Sequence, residues 1–165
     1  MENLLKELIA VLEEQTGMYR SLLDILQAEK KAVISAKLED VTVARIRKEN
    51  ILSLIRVKDE IRNEIIEKIS GCLGCQPKDL TLHQLSQRVE VPFSLKLIQC
   101  AADISLLIQN IHQANEMNKS LITYSLKLIN SSINLITQII RPPSEYFHNG
   151  KIRQGISGTV FSSSI

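Results

Sequence analysis

Tryptophan is absent from this chain, and glycine and proline together account for only ten of its 165 residues. Phenylalanine and tyrosine add six aromatic side chains. Sheet proteins depend on strand-forming aromatic and β-branched residues and on glycine- and proline-rich turns, so this scarcity argues against a β-sandwich or an α/β fold. Leucine, isoleucine, glutamate, lysine, serine and glutamine abound instead. The composition therefore predicts an all-α protein, either a helical bundle or a coiled coil.

A strong charge of one sign is also missing. The formal net charge is +2, and charges of both signs are interspersed along the chain. A nucleic-acid ligand would require a basic face, so we expect no nucleic-acid binding. The first residues show no basic run followed by an apolar core and a small-residue cleavage site, which predicts a cytoplasmic protein.

Residues 92–140 form the longest uninterrupted pattern, with no glycine or proline after Pro92. Apolar side chains recur there at alternating three- and four-residue intervals, which is the pattern of a helix that packs along a coiled-coil seam. The positions of this seam are Leu97, Cys100, Ile104, Leu107, Ile111, Ala114, Asn118, Leu121, Ser125, Leu128, Ser132, Leu135 and Ile139. A helix of this length needs partner helices along it.

Charge is sparse in the same region, and the stretch Leu128–Ile140 has none. A helix with one wet face normally carries charge there, so this stretch is either covered on several sides or kept apolar for a partner. A bilayer span needs about 20 apolar residues, and this run is shorter. Partner binding is the preferred interpretation, and no stable membrane insertion is expected.

The rest of the chain completes a predicted elongated antiparallel bundle of three long helices and one short helix. The predicted helices cover about residues 2–36, 41–71, 81–90 and 92–140. Helices one and two form a hairpin whose apolar seams leave a groove for the long helix. Residues 1–140 are thus one helical domain, and residues 141–165, which begin with Arg141-Pro142-Pro143, form a flexible C-terminal tail.

Asn115 and Asn118 interrupt the apolar face of the long helix. Buried amides must find hydrogen-bond partners or cost about 1–3 kcal/mol each, so they pair either inside the bundle or with the backbone of another chain. A single buried asparagine often fixes helix register. Two asparagines followed by Ser125 and Ser132 are more typical of a surface for a removable partner, because polar seam positions weaken permanent association.

Catalytic and metal-binding patterns are weak. Cys72-x-x-Cys75 has the spacing of a zinc or redox pair, but His83 and Cys100 do not supply a second short-spaced pair, and buried structural cysteines are the better account. Glu145-x-x-His148 occurs once, whereas di-iron bundles use two such motifs and further glutamates. We therefore expect a protein that is not an enzyme and has no metal or cofactor.

Tyr146 and Phe147 lie in the predicted tail, which has no hydrophobic core to bury them. Exposed rings in such a segment are candidate docking residues, since they give a large contact area with few rotors to immobilise. The alternative is that they fold back onto the bundle, and the sequence leaves both possibilities open.

Taken together, these elements resemble the FlgN family of flagellar export chaperones. The resemblance covers nearly the whole chain. It rests on a pair of long helices with Glu49-Asn50-Ile51-Leu52, a short helix at Leu80-Thr81-Leu82-His83-Gln84-Leu85, and a long helix carrying Asn115-x-x-Asn118-x-x-Leu121-Ile122. The last shared element is a proline-marked tail with Tyr146-x-x-Asn149-Gly150.

The resemblance implies a cytoplasmic chaperone that binds the helical C-terminal segment of hook-associated filament-junction proteins, prevents their premature assembly and delivers them to the flagellar export gate. The long helix would supply a groove for the client helix. The implied contacts are Asn115, Asn118, Leu121, Ile122, Leu128, Ile129 and Ile136, with Tyr146 docking at the gate. The alternative is a structural coiled-coil protein, a homo-oligomer that self-associates through the long helix.

Overall fold

The computed structural model describes residues 1–140, and all four helices predicted from the sequence are present. They are α1 (Glu2–Ile34), α2 (Leu38–Leu73), α3 (Leu82–Ser86) and α4 (Phe93–Ile140), with a single 3₁₀ turn at Pro77–Asp79. No strand occurs among these residues. The predicted all-α class is therefore confirmed. The predicted tail, including Tyr146, Phe147 and the Glu145-x-x-His148 motif, lies outside the described residues.

Helix boundaries follow local chemistry, with one clear departure from prediction. Gly74 ends α2 in the left-handed conformation at φ 66°, and Thr81 and Gln84 form the reciprocal capping box that starts α3. Between α1 and α2, however, the left-handed residue is Ala36 at φ 53°. The turn is correspondingly short, α2 begins at Leu38 rather than near residue 41, and α3 is shorter than the predicted 81–90.

The chain divides into a compact unit, Met1–Ile122, and a second unit that begins at Thr123 and is described as far as Ile140. Inside the compact unit, α1 and α2 are antiparallel. Ion pairs join Glu14 to Lys58 and Glu29 to Lys48, so positions rise along α1 as they fall along α2. The predicted division into a domain at 1–140 and a tail stays a prediction.

The core of the compact unit lies where α1, α2 and the first part of α4 meet. Leu8, Ile69 and Leu97 are fully buried in its larger cluster. A smaller cluster follows around Leu22, Leu26 and Ile55, against which Ile111 and Ala114 of α4 pack. Because Leu97 lies near the start of α1 and Ala114 lies further along it, α4 runs parallel to α1 within this unit.

The periodicity of α2 predicts an apolar seam that includes Val43, Leu54, Val57, Ile65 and Ile69, and this seam is only partly buried. Ile65 and Ile69 belong to the core, but the earlier seam residues Val43, Leu54 and Val57 are 46–53% exposed. The first part of α2 instead buries Ala44 and Ile55, which lie about 100° further round the helix than Val43 and Leu54, so the predicted buried face is wrong there.

Candidate partner-binding surface

Asn118 joins three helices at a buried polar cluster. Its side chain is 2% exposed, and its amide nitrogen donates to the Leu26 carbonyl oxygen at 2.8 Å and to Glu29 Oε2 at 2.9 Å. Lys48 Nζ of α2 lies 2.6 Å from Glu29 Oε1. Both amide hydrogens of Asn118 are therefore used inside the chain, and the cluster fixes the register of α4 against the α1–α2 hairpin.

The Glu29 carboxylate is nearly inaccessible, with only 5% of its side chain exposed, whereas Lys48 retains 23%. Removing a carboxylate from water is costly unless opposite charge and hydrogen bonds replace the water. Lys48 supplies the charge and Asn118 the hydrogen bond, one on each carboxylate oxygen. This arrangement satisfies the group fully and depends on all three residues.

A second polar cluster fixes the hairpin itself. Gln15 is fully buried, and its amide nitrogen donates to Asp59 Oδ1 at 2.8 Å while its carbonyl oxygen accepts from Arg62 at 3.3 Å. Arg62 and Asp59 also pair at 3.1 Å. Gln15 and Glu29 thus each carry a directional contact across α1 and α2, which restricts sliding of the two helices.

The predicted contact residues fall into three environments. Asn118 is buried and Leu121 and Ile122 are half-buried in the compact unit, whereas Asn115 is exposed. Leu128, Ile129 and Ile136 are 54–58% exposed in the second unit. Tyr146 lies outside the described residues. The structure therefore places three large apolar side chains on an open surface and gives Asn118 a hydrogen-bonded position in the bundle.

The open surface extends over the whole end of α4. Every residue from Leu126 to Ile140 is exposed, and Lys127 is the only charged residue after Lys119 in the helix. Its large apolar members are Leu126, Leu128, Ile129, Ile133, Leu135, Ile136, Ile139 and Ile140, each 54–74% exposed. Monomeric proteins rarely leave so many neighbouring apolar side chains uncovered, and such patches mark interaction surfaces.

The cysteines show no metal centre. Cys72 is exposed, Cys75 is half-buried with Sγ 3.9 Å from the Ser70 carbonyl oxygen, and Cys100 is buried in the core. The expectation that Cys72 and Cys75 are buried structural cysteines is thus wrong for Cys72 and only partly met by Cys75. Within residues 1–140, no three histidine, cysteine or acidic side chains are grouped so as to hold a metal ion.

Sequence reasoning missed one further surface feature, an open groove of about 600 Å³ between the end of α1 and the start of α2. Its lining residues include Ile25, Ala28, Ala32, Val43 and Arg47. The alanines at 28, 32 and 44 were the available signal, because small side chains on both helices leave room for such a depression.

Comparison with known proteins agrees with the residue patterns. A family model described as FlgN protein matches residues 1–154. No curated protein and no solved structure gives a match. None of the helices between Glu2 and Ile140 combines the length and apolarity needed to span a membrane.

Proposed function

The chain belongs to the FlgN family and is therefore a flagellar export chaperone, and from this premise we propose that it binds the helical C-terminal segment of hook-associated filament-junction proteins in the cytoplasm. Binding keeps the client from assembling too early and brings it to the export gate. The observation that carries the proposal is the exposed apolar surface at Leu128–Ile140.

The chemistry of this surface favours a helical client. Leu128, Ile129 and Ile136 lie within about 100° of one another around α4, on its apolar half, and an amphipathic helix offers apolar anchors at three- and four-residue intervals. The polar residues between them are amides and hydroxyls rather than charges. A client helix with an uncharged apolar face therefore loses no ion solvation on docking.

The expected strength of binding suits a chaperone that must release its client. Complete burial of a leucine or isoleucine side chain contributes roughly 1.5–3 kcal/mol, so covering a half-exposed one contributes about 1 kcal/mol. The eight large apolar side chains of the surface then supply about 8 kcal/mol when every one of them is covered. Association costs about 4–15 kcal/mol before any net affinity appears. The gain and the cost are of similar size, so we expect capture to be reversible.

The compact unit has a supporting role in this proposal. Asn118 holds α4 in register through Glu29 and Leu26, and exposed Asn115 and half-buried Leu121 and Ile122 contact the near end of the client. Tyr146 contributes to docking at the export gate. A chain that stops after Ile140 should keep its client affinity and lose export.

The decisive experiment replaces Leu128 and Ile129 together by aspartate and titrates a fluorescent peptide of the client's C-terminal helix. We expect peptide binding to be abolished, because two charges enter the apolar surface, while the circular dichroism spectrum stays that of a helix. Asn130→Asp with Asn134→Asp is the matched control, since it adds the same two charges to the polar side of α4 and should retain binding.

Two results would contradict the proposal. Equal loss of binding in both double variants would show a general effect of charge rather than an apolar docking face. A stable oligomer that ignores peptides from every hook-associated protein of the same genome would instead favour permanent self-association through α4, the structural alternative.

A further inference from the structure

The exposed end of α4 carries two complete heptad seams rather than one. The first, here called the leucine–serine seam, consists of Ser125, Leu128, Ser132, Leu135 and Ile139. The second, here called the isoleucine seam, consists of Leu126, Ile129, Ile133, Ile136 and Ile140. Both follow the alternating three- and four-residue spacing of coiled-coil contact positions.

The two seams face different directions. Each residue advances an α-helix by about 100°, and the isoleucine seam is the leucine–serine seam displaced by one residue. Together they make about half of the helix circumference apolar, whereas a strict coiled-coil seam is narrower than the roughly 100° stripe of an ordinary amphipathic helix. The polar side chains Asn130, Asn134 and Gln138 occupy the remaining side.

Exposure is shared equally between the seams. Leu128 and Leu135 of the first are 58% and 59% exposed, and Ile129 and Ile136 of the second are both 54% exposed. Among the described residues, neither seam has a cover. A partner that covered only one seam would leave the apolar side chains of the other exposed to water, which is unfavourable.

Geometry prevents one helix from filling both. Packed helix axes lie about 8–10 Å apart, so two helices seated on seams about 100° apart have their axes roughly 14 Å apart. A helix with side chains is about 10–12 Å wide. Two helices therefore fit side by side on α4, and a single helix placed between the seams contacts each of them only at its edge.

Ser132 does not prevent the leucine–serine seam from binding an apolar helix. The Ser132 hydroxyl donates to the Leu128 carbonyl oxygen of its own helix at 3.0 Å, so its polar group is already satisfied. Ser132 is also small, so a partner helix can approach α4 closely at this position. The isoleucine seam lacks such interruptions and offers the larger apolar contact.

We infer that the end of α4 binds two client helices at once, one on the leucine–serine seam and one on the isoleucine seam. This inference rests on the proposed chaperone function and specifies the client as one that presents a pair of helical segments with uncharged apolar faces. The isoleucine seam, which has more apolar surface, fills first.

Calorimetric titration with a synthetic peptide of a single client C-terminal helix tests the inference on the full chain. We expect two peptides per chain, with the tighter site on the isoleucine seam. Leu128→Ser with Leu135→Ser should remove the weaker site, and Ile129→Ser with Ile136→Ser should remove the tighter one. Each variant then binds one peptide. All four residues are more than half exposed, and circular dichroism confirms that the helix remains.

The outcomes separate this inference from the proposed function. One peptide per wild-type chain, with binding lost in both variants, would show a single helix straddling the seams and overturn the inference while leaving the chaperone role intact. Light scattering that shows a dimer dissolved by Ile129→Ser with Ile136→Ser would assign the isoleucine seam to a second copy and also overturn it. No peptide binding at all would contradict the proposed function itself.

Discussion

Asn118 and Glu29 are 89 positions apart in sequence, yet their side chains meet at 2.9 Å in the interior of the compact unit. The contact ties α4 to α1 at the last well-buried position of α4. Beyond it, α4 becomes progressively exposed and loses its charged residues. Asn118 thus marks the change from the packed part of α4 to its exposed part.

Replacing Asn118 by alanine should destabilise the fold. The Glu29 Oε2 and Leu26 carbonyl oxygens would each lose a buried donor, and an unsatisfied buried polar group costs about 1–3 kcal/mol. We expect the free energy of unfolding, measured with urea, to fall by about that amount. Asn115→Ala is the matched control, because Asn115 is exposed and surface changes usually stay within about 0.5 kcal/mol. Equal effects of the two substitutions would contradict a structural role for the Asn118 contact.

Replacing Lys48 by methionine should also destabilise the protein, since it leaves the Glu29 carboxylate buried without its counter-charge. Breaking a fully buried pair costs about 3–5 kcal/mol, and the partial exposure of Lys48 reduces the expected loss to about 2 kcal/mol. Adding Glu29→Gln to Lys48→Met should restore part of the stability, because the remaining buried group is then neutral.

Denaturant midpoints of the single and double variants measure this coupling. Arg45→Ala provides the control, because the Arg45–Glu49 pair is exposed at both ends, with side chains 63% and 60% accessible. Such pairs contribute little in water, so the midpoint should not move. A double variant less stable than Lys48→Met alone would contradict the explanation by charge burial.

Thiol labelling should distinguish the three cysteines. Cys72 is exposed and should react first, Cys75 is half-buried, and Cys100 should react last. Burial raises the pKa of the Cys100 thiol, and the nearby carboxylates of Glu13 and Asp103 raise it further. Because the thiolate is the reactive form, a raised pKa leaves less of it at a given pH, so the Cys100 reaction should accelerate only above the usual thiol range of about 8.5.

Single cysteine-to-serine variants assign each phase of a labelling experiment followed by absorbance. Loss of the fastest phase in Cys72→Ser and of the slowest in Cys100→Ser is expected. A Cys100 that reacted as quickly as Cys72 at neutral pH would contradict the burial of Cys100 between α4 and α1.

Local signals in the sequence predicted most of the helices, but they did not predict which side chains of each helix are buried. Gly74 marks the end of α2 and the Thr81–Gln84 capping box marks the start of α3 correctly, because each acts on backbone within a few residues of itself. The end of α1 was placed too late, since Ala36 adopts a left-handed conformation in which glycine is the usual residue. Val43 and Leu54 share an apolar period with Ile65, but the first part of α2 packs through Ala44 and Ile55 instead. Periodicity alone could not predict which side of the helix is buried there.

The candidate site shows the same division. Periodicity and the missing charge predicted that Leu128, Ile129 and Ile136 form a surface for a partner. These side chains are exposed, and their contact with a partner stays a prediction. The sequence did not identify the hydrogen-bond partner of Asn118. A polar residue on a seam gives the same sequence pattern whether it bonds to Glu29 of its own chain or to the backbone of another protein. Long-range pairing of this kind depends on tertiary packing.

Client affinity should be nearly independent of salt. No charged residue lies between Leu128 and Ile140, so docking there changes apolar hydration and few ionic contacts, and screening by added salt has little to act on. Raising sodium chloride from about 50 mM to about 500 mM should change the dissociation constant of the client peptide by less than about twofold.

Asn130→Lys with Asn134→Lys supplies the comparison, because it places two cations beside the apolar surface. Any acidic group on the peptide would then pair with them, and binding would weaken as salt rises. A loss of tenfold or more in the unmodified protein would show that ion pairs elsewhere on the chain hold the client, and the apolar end of α4 would not be its principal binding surface.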